Sequence, residues 1–571
     1  MDGEKYGLPG TVIDKGTSAA DDRSRPGEAP EDVEGSPHRY LTGWRLALVT
    51  VSLALCMFLT GVDGSVIGVA TPGITTSFHA IDDLAWYGSG YMLPHTILHP
   101  ILGVLCKSFN ARYVFLTSIV IFEAGSCLCA AAPTSTSFII GRVIAGCGAA
   151  GLLQGTLAIV GLSVPKKKVP LYYAYVLSVQ GVSACTAPIF GGTFADKVSW
   201  RWCFWINLPI GSVALAMVML FVKPKLPKQA GDIRSLPPLQ RLRRVDWAGT
   251  LIFLSAFVCL FLALQWGGQT KPWRSSEVIG LFVGFGLLLG LFVYTQKFTG
   301  EDSLIPRRIM TQQTVLFGTI YLILFGLQMA VYLQYIPIYF QAIRGTSAIN
   351  SGIRMIAMDA GRIIFIIISG IIVTKFGYYM PYMVIGTMIN VVAAGLLTTL
   401  DLDTSTARST AFMFLAGAGA GIGGNQPFTA LQAALKEEDL FIGNGLTVFG
   451  LQLGTSLAFA ISQPVFLTKI FSRLANDPLT SNISRSSIIA AGASHLDRLV
   501  DNPAALNVVR KAYSEGIRDT MIVALVAICL CLSCPPGMEW LQLENTDAKI
   551  EEDTENLPSV VLTLTEVRKK S

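Results

Sequence analysis

The chain has 571 residues, of which 52% are hydrophobic and only 14% are charged, and its mean hydropathy is +0.53. This apolar excess excludes an ordinary soluble domain, and a formal net charge of +5, spread along the chain, gives no reason to predict nucleic-acid binding. The 11 cysteines lie mostly inside apolar runs, where a thiol acts as a small hydrophobic group, so neither a disulfide framework nor a metal or cofactor site is predicted.

Apolar runs follow one another along most of the chain. A helix needs about 20 apolar residues to cross a hydrocarbon layer of roughly 30 Å, and about fourteen segments meet this requirement. Their approximate bounds are 45–68, 85–105, 112–132, 137–163, 170–193, 203–222, 247–267, 277–297, 314–340, 350–373, 380–400, 409–432, 442–467 and 519–536. The sequence therefore predicts an all-α integral membrane protein that crosses a lipid bilayer through fourteen transmembrane helices.

The gaps between these runs divide the spans into six, two and six. The polar ends of the chain lack the apolar residues needed to form a core, and we expect them to be disordered in the cytosol. The predicted segments are an N-terminal tail at 1–44, the first six spans at 45–222, a basic linker at 223–246, two extra spans and a loop at 247–313, the last six spans at 314–536 with a long loop at 469–518, and a C-terminal tail at 537–571.

Basic residues indicate the sidedness of the membrane. Lysine and arginine collect in the gaps after the second, fourth, sixth and eighth spans. By the positive-inside rule these gaps and both termini are cytosolic. The loop 469–518 then faces outward and carries the sequon Asn482-Ile483-Ser484, so we expect Asn482 to be a glycosylation site.

The loop after the second span contains a glycine followed by basic residues. It begins at Gly103 and includes Lys107 and Arg112. This pattern resembles the loop signature of the major facilitator superfamily, in which a glycine, an acidic residue and a basic cluster hold the second and third spans together. Lys107 stands where that signature has its acidic residue.

Two further motifs lie in the fourth and fifth spans. Arg142 and Gly146 belong to a stretch that resembles the RxxxGxG motif of the same family. Pro188, Gly191 and Gly192 belong to a stretch that resembles its GPxxGG antiporter motif, with Ala187 in place of the first glycine. The resemblance implies that these residues take part in conformational change.

The most specific motif leads into the sixth span. It runs from Trp200 and Arg201 through Asn207 and Pro209 to Gly211, and it closely resembles the WRWxFxINLPxG signature of fungal fourteen-span drug:proton antiporters. Membership of that family would imply two six-helix bundles, two extra linking helices and alternating access. It would also imply a small amphipathic substrate, protons as the coupled ion, no cofactor and a monomeric protein.

Three ionisable residues within the first six spans are candidates for proton coupling. Asp63 is the acidic residue of the first span and matches the acidic position of the family's first-span motif. A carboxyl group in a medium of low dielectric suits a site that must load and release a proton, although a hydrogen-bonded structural acid is an alternative. Glu123 and Arg142 are the others, and they could be buried as neighbours, with a structural role favoured for Glu123.

Other polar residues within the spans have two interpretations each. Asp359 and Arg362 are three residues apart on one helical face, which favours a local ion pair over a role in substrate specificity. His95 and His99 are four residues apart, and a pH-sensitive or metal-binding pair is the less favoured interpretation of them. As a group, the amides and aromatic rings suit a bulky amphipathic solute, and the candidates for the lining of a central cavity are Gln154, Gln180, Gln328, Tyr335, Asn425 and Gln426.

The sequence thus predicts a proton-coupled efflux transporter that exports a hydrophobic or amphipathic small molecule, such as a fungal secondary metabolite, a mycotoxin or a drug. We expect it in the plasma membrane, with a vacuolar or vesicle membrane as the alternative. A proton-coupled importer, for example of a siderophore, is the alternative function. An enzyme is not predicted, because no nucleophile and base occur in a recognisable arrangement.

Overall fold

The computed structural model describes residues 40–80, 83–222, 237–267, 271–480, 496 and 502–543. Within these ranges the regular elements are helices, and two isolated β-bridges are the only other pairing of backbone segments. Twelve of the described helices are long and apolar enough to cross a membrane. The prediction of an all-α membrane protein is therefore confirmed, whereas the count of fourteen spans is not.

Eight helices form the first part of the fold, which we call the first bundle. Asn110 and Thr134 each cap the helix that follows, because their side chains accept hydrogen bonds from backbone N–H groups of its first turn. The helices are α1 (Gly43–Phe78), α2 (Leu84–Ile97), α3 (His99–Ser108), α4 (Ala111–Ala131), α5 (Ser135–Ser163), α6 (Val169–Lys197), α7 (Trp202–Trp205) and α8 (Asn207–Phe221).

Two long helices follow the first bundle and form a hairpin. The helices of this region are α9 (Pro238–Arg243), α10 (Trp247–Trp266), α11 (Ser276–Thr299) and α12 (Arg307–Met310). Phe253 of α10 packs on Phe292 of α11 with ring centroids 5.3 Å apart. The predicted linker 223–246 is helical at Pro238–Arg243, and its residues 223–236 lie outside the described part of the chain.

Seven helices form the last part of the fold, which we call the second bundle. They are α13 (Gln313–Ala342), α14 (Ala348–Phe376), α15 (Met380–Leu397), α16 (Thr406–Gly423), α17 (Gln426–Ala434), α18 (Glu437–Ala475) and α19 (Pro503–Cys531).

Two predicted spans are each built from two consecutive helices. The segment 85–105 breaks at Leu98 between α2 and α3, where Pro94 and Pro100 flank the break. Pro100 has no N–H group to continue the hydrogen-bonding pattern of α2. The segment 409–432 breaks at Gly424 and Asn425 between α16 and α17, and the second residue of α17 is again a proline, Pro427. These breaks explain why twelve continuous spans are found instead of fourteen.

The loop that is predicted to face outward is shorter than the predicted 469–518. Helix α18 continues to Ala475 and α19 begins at Pro503, because ion pairs join the two helices beyond their apolar segments. Lys469 lies 3.7 Å from Asp519, and Arg473 lies 3.6 Å from Glu515. Asn482, the predicted glycosylation site, lies outside the described residues.

The first residues of the predicted C-terminal tail, 537–571, are ordered against the second bundle. Leu543 donates its backbone N–H to Gly377 at 2.9 Å, and the hydroxyl group of Tyr379 donates to the carbonyl oxygen of Glu539. Burial raises the pKa of Tyr379 to about 12. The prediction of disorder is therefore wrong for residues 537–543, and residues 544–571 lie outside the described part of the chain.

The two bundles meet along two pairs of helices, α3 with α18 and α6 with α14. Glycines allow both contacts. A Cβ atom on Gly103 would lie 2.5 Å from the carbonyl oxygen of Phe441, and one on Gly370 would lie 2.7 Å from the Cβ atom of Ala174. Because a side chain at either position would push the helices apart, these glycines set how closely the bundles approach each other.

Candidate functional site

A buried ion pair joins the first and fifth helices of the first bundle. Nη1 of Arg142 lies 2.7 Å from Oδ2 of Asp63, and the side chains are 1% and 0% exposed. The Nε–H group of Arg142 donates to the carbonyl oxygen of Tyr87 at 3.0 Å, and its guanidinium lies 4.4 Å from the ring centre of Tyr91. Oδ1 of Asp63 has no hydrogen-bond partner. The carboxylate is therefore held by one cation and has one oxygen left to accept a proton.

The sequence around Arg142 places it between two neighbouring helices. Gly146 lies one turn later on the same face of α5, and a Cβ atom there would lie 2.3 Å from the carbonyl oxygen of Tyr91 in α2. Gly148 lies on another face, where a Cβ atom would lie 2.4 Å from the backbone nitrogen of Phe122 in α4. The two glycines of this motif thus bring α5 against α2 and α4, and this packing buries Arg142 beside Asp63.

Glu123, predicted as a possible buried neighbour of Arg142, forms no ion pair with it in the described structure. Arg142 is engaged by Asp63 instead. Neither carboxylate oxygen of Glu123 has a hydrogen-bond partner in the described structure. The carboxyl group occupies the space beside Gly211 in α8, where a Cβ atom would lie 1.7 Å from Oε1. This contact gives Gly211 a direct reason to be a glycine.

The tryptophan-rich motif holds together the end of the first bundle that is predicted to face outward. The indole N–H group of Trp200 donates to Ser77 of α1 at 2.9 Å. Arg201 donates to the carbonyl oxygens of Ala130 and Ala132, at 3.0 and 2.7 Å, where α4 ends. Asn207 of α8 donates to Ser126 of α4 at 3.2 Å. The motif therefore fastens α1, α4 and α8 to one another.

The remaining motif residues have simpler environments. Pro209 is the third residue of α8, where a missing N–H group costs no helical hydrogen bond. Gly191 and Gly192 are buried in α6, and the thiol of Cys203 lies 3.8 Å from the carbonyl oxygen of Gly191. Helix α6 continues through Pro188, whose side chain is outside the described part of the structure.

An acidic residue of the second bundle binds two basic residues at the end of the molecule predicted to be cytosolic. Asp439, in the first turn of α18, lies 3.7 Å from Nζ of Lys107 at the end of α3. Arg308 reaches the same carboxylate with two contacts of 2.7 and 3.0 Å. The hydrogen bond with Asp439 raises the pKa of Arg308 above its usual value. Lys107, which replaces an acidic residue of the family signature, thus pairs across the two bundles.

Buried hydrogen bonds also join the two bundles next to the contact of Lys107 with Asp439. Gln154 of α5 donates to the carbonyl oxygen of Phe441 at 2.7 Å, next to Gly103. Gln432 of α17 donates to the hydroxyl group of Tyr173 in α6 at 2.8 Å. We call this set of contacts between α3, α5 or α6 and α17 or α18 the inner seam. It is closed in this structure. Arg112 lies outside it and donates to the carbonyl oxygen of Met219 at the end of α8, at 2.5 Å.

Two of the predicted cavity residues lie inside the second bundle. The side-chain amides of Gln328 and Asn390 form two mutual hydrogen bonds of 3.2 Å between α13 and α15, and both residues are buried. Tyr335 is 1% exposed and packs on Phe466 of α18 with ring centroids 5.2 Å apart. These contacts connect helices of one bundle, so the structure does not bring Gln328 or Tyr335 to a shared cavity with Gln154.

The other predicted cavity residues are spread over different helices. Gln180 of α6 lies 4.0 Å from the sulfur of Met57 in α1. Gln426 donates to Ile422 at 2.9 Å across the break between α16 and α17, and Asn425 lies at that break with a buried amide nitrogen that has no hydrogen-bond partner. The predicted group of cavity residues is therefore not a single cluster in this closed arrangement.

Asp359 and Arg362 do not form the predicted ion pair. Their charges lie close enough to interact, but no direct contact joins them in the described structure. Asp359 instead accepts a weak hydrogen bond from the thiol of Cys185 in α6, at 3.7 Å. This contact crosses between the bundles from α6 to α14.

Sequence reasoning missed Asp439 and Tyr91. The acidic run Glu437-Glu438-Asp439 at the start of a span was a signal for Asp439, because it is the complement of an unexpected lysine at position 107. Tyr91 carried no signal of its own. Within the described residues, no group of three or more His, Cys, Asp or Glu side chains could hold a metal ion.

The chain resembles known transport proteins over most of its length. Residues 53–459 match the protein family described as the Major Facilitator Superfamily. The MFS-type efflux pump MFS1 of Trichophyton rubrum is 37% identical over 531 residues, which cover 93% of this chain and 98% of that protein. The efflux pump aflT of Aspergillus parasiticus is 36% identical over 510 residues, or 89% of this chain and 98% of that protein.

Other similarities extend to a named cargo and to the fold. The aspyridones efflux protein of Neocamarosporium betae is 37% identical over 509 residues, or 89% of each chain. The solved structure of the proton:xylose symporter XylE bound to 6-bromo-6-deoxy-D-glucose has a TM-score of 0.53 and 14% sequence identity, over 88% of this chain and 98% of that one. At this low identity the likeness concerns the fold alone.

Proposed function

We propose, on the premise that this chain belongs to the major facilitator superfamily, that a proton gradient drives its transport cycle. The protein is a multi-pass membrane efflux transporter of the kind found in fungi, and a transporter rather than an enzyme. Its substrate in this proposal is a hydrophobic or amphipathic small molecule, such as a secondary metabolite or a drug. Relatives named for the efflux of such compounds support this choice, as does the apolar interior.

The ion pair of Asp63 and Arg142 is the observation that carries the proposal. Both side chains are at most 1% exposed and their contact is 2.7 Å long. A proton that binds to Asp63 removes its negative charge, so Arg142 loses its partner in an apolar environment where an unpaired cation is costly. The arginine must then find water or another acceptor. Protonation of Asp63 is thereby linked to a movement of α1 relative to α5.

The available energy is sufficient for export against a gradient. One proton that crosses 100 mV releases about 2.3 kcal/mol, and each pH unit adds about 1.4 kcal/mol. Together these hold a substrate concentration ratio of roughly a few hundred. A single proton for each substrate molecule is enough for self-protection against a toxic compound.

The arrangement of the bundles suggests which state the structure represents. The inner seam is closed through Gly103, Gln154 and the contact of Lys107 with Asp439. Asp63 is paired with Arg142 at the same time. We assign this arrangement to a state that is closed toward the cytosol and carries no proton on Asp63.

The proposal includes fourteen crossings of the plasma membrane. Helices α2 and α3, with 14 and 10 residues, follow each other closely enough to cross together as one interrupted span. At about 1.5 Å of rise for each residue they exceed the roughly 30 Å of a hydrocarbon layer. Helices α16 and α17 have 18 and 9 residues and fulfil the same condition. An even number of crossings keeps both termini in the cytosol.

The proposal is tested with purified full-length protein in sealed vesicles and a fluorescent amphipathic probe such as rhodamine 6G. We expect vesicles with an acidic interior to accumulate the probe when the protein is present, and a protonophore to abolish the accumulation. Uptake that follows the probe gradient alone, without regard to the pH step, would contradict proton coupling. Movement of probe and protons in the same direction would indicate a symporter instead.

A further inference from the structure

Four residues of the second span form a column of rings beside the Asp63 and Arg142 pair. Tyr87, Tyr91, His95 and His99 are spaced by four residues, so they lie on one face of α2 and the first turn of α3. We call them the α2 ladder. From Tyr87 to His99 it covers about 18 Å along the helix axis, and it runs from Arg142 to the inner seam.

From Tyr91 to His99, each step of the ladder is a direct contact between rings. The ring of Tyr91 lies under the guanidinium of Arg142 at 4.4 Å and is stacked on the ring of His95 with centroids 5.6 Å apart. His95 and His99 then meet edge to face at 5.2 Å. The histidines are 8% and 0% exposed. The ladder thus leads without interruption from the proposed coupling site to two buried histidines.

The histidines lie where the two bundles touch. The side chain of Gln452 in α18 lies 2.7 Å from Nδ1 of His95. A Cβ atom on Gly445, also in α18, would lie 2.7 Å from the backbone oxygen of His99. An amide side chain can donate a hydrogen bond to a neutral imidazole, and after rotation it can accept one from an imidazolium. Gln452 therefore suits His95 in either protonation state.

Among the described residues, no acid contacts His95 or His99 to balance a positive charge on the pair. Neither nitrogen of His99 has a hydrogen-bond partner in the described structure. The groups that face the ladder from Tyr91 to His99 are Gln452 from α18, Arg142 from α5 and, through Arg142, Asp63 from α1. At the far end from the histidines, the hydroxyl group of Tyr87 contacts Ser135, which donates to the carboxylate of Asp83. After Asp439, which is bound by basic residues, helix α18 has no further acidic residue. Helix α10, which also packs on α2, has no charged residue.

The helix break lies between the two histidines. Helix α2 ends at Ile97 and α3 begins at His99, with Pro94 and Pro100 on either side. A break with two prolines lacks part of the backbone hydrogen bonding that would make α2 and α3 one rigid rod. Helix α3 can therefore tilt away from α18 without unfolding α2.

We propose that His95 and His99 form a second protonation site of the transport cycle, and that charging this site separates α3 from α18 and opens the inner seam. This inference rests on the proposed proton coupling. A proton added to either ring places an unbalanced cation in a dry contact, which is costly until water enters. Opening the seam admits that water, and the proton then leaves to the cytosolic side.

The experiment measures the opening of the seam directly and needs no transported substrate. Spin labels are attached to the full-length protein in lipid nanodiscs through Tyr113→Cys and Glu438→Cys, in a background without other cysteines. Both positions are exposed at the end of the molecule that carries Lys107. Their distance distribution is recorded between about pH 5 and pH 8, the range in which histidine titrates.

We expect the labels to move apart as the pH falls. In the double variant His95→Gln and His99→Gln, the pH-dependent change in the ratio of open to closed molecules should be at least about fivefold smaller, which corresponds to about 1 kcal/mol. Gln452→Glu places a carboxylate beside His95 and is expected to move the midpoint of opening to higher pH by about one unit or more. A purely structural role of the histidines would not predict that Gln452→Glu makes the seam open at higher pH. His79→Asn removes an exposed histidine at the end of α1 and serves as the control.

The outcomes separate this inference from the proposed function. A pH response that persists in the double variant, or a midpoint that Gln452→Glu leaves unchanged, overturns the role of the histidines but leaves proton-driven transport in vesicles intact. If the vesicles move probe without regard to the pH step and the labels show no pH response, both proposals fail. If the double variant does not fold, the Gln452→Glu midpoint decides alone.

Discussion

A tight contact between the two bundles makes Gly103→Ala a sharp test of the inner seam. A Cβ atom at position 103 would lie 2.5 Å from the carbonyl oxygen of Phe441 in α18. The same oxygen accepts the hydrogen bond of Gln154 at 2.7 Å. The obstacle is backbone, which cannot turn aside as a flexible side chain would. We therefore predict that Gly103→Ala shifts the protein away from the closed arrangement.

The structure sets the size of this effect. Carbon and carbonyl oxygen atoms normally approach to about 3.3 Å, so α3 and α18 must separate by a substantial part of an ångström. Overpacking of this kind costs about 1–3 kcal/mol, and weakening the hydrogen bond from Gln154 adds about 1 kcal/mol. The combined cost is about 2–4 kcal/mol, which lowers the ratio of closed to open molecules at least about thirtyfold.

The assay is the distance between spin labels at positions 113 and 438, with Gly88→Ala as the matched control. Gly88 lies in α2, and a Cβ atom there meets nothing within 4 Å. Both substitutions gain the same helix propensity of about 1 kcal/mol, so their difference isolates the contact with Phe441. A distribution in Gly103→Ala that equals that of Gly88→Ala would refute the argument that this contact limits closure.

Three further predictions concern single sites. Asp63→Asn is expected to abolish proton-driven uptake of the probe while downhill exchange continues, and Asp63→Glu should retain part of the activity; uptake by Asp63→Asn that still follows the pH step would exclude Asp63 from coupling. Gly211→Ala is expected to lower the thermal stability of the detergent-solubilised protein by about 1 kcal/mol or less, the lower end of the overpacking range, because Oε1 of Glu123 is the end of a flexible side chain that can turn aside. Adding Glu123→Ala should remove what remains of this loss, whereas purely additive losses would contradict the contact. The hydroxyl group of Thr404 donates to Asp401 at 2.6 Å and lowers the pKa of that carboxyl group, so Thr404→Val should destabilise the protein near neutral pH. The same hydroxyl accepts from the backbone N–H of Asp401 at 3.0 Å, so the loss should shrink without vanishing as acid protonates Asp401 in both proteins; a loss that does not change with pH would argue against it.

Local sequence patterns were sufficient for the type of structure and for much of the motif chemistry. The helical structure of a long apolar run can be predicted without tertiary information. In lipid, each such run must satisfy its own backbone hydrogen bonds, and it does so as a helix. The tryptophan-rich motif could likewise be recognised from the sequence alone. Asn207 and Gly211 lie one turn apart on α8, and both contact α4 in the structure.

The errors at helix ends have local physical causes that compete with hydropathy. Pro100 interrupts an apolar run without changing its hydropathy enough to be noticed, so one predicted span became α2 and α3. The opposite occurred at α19, where Glu515 and Asp519 made the sequence look like a loop. Their ion pairs with α18 let the helix begin at Pro503.

The sequence alone determined that this is a helical membrane protein with buried charges in its first six spans, since composition and hydropathy are properties of each segment by itself. Which charges meet was decided only by the tertiary structure. Asp63 finds Arg142 across 79 positions of sequence, and Lys107 finds Asp439 on the other bundle. Such pairings depend on how glycines let whole helices approach each other, and no local pattern contains that distance.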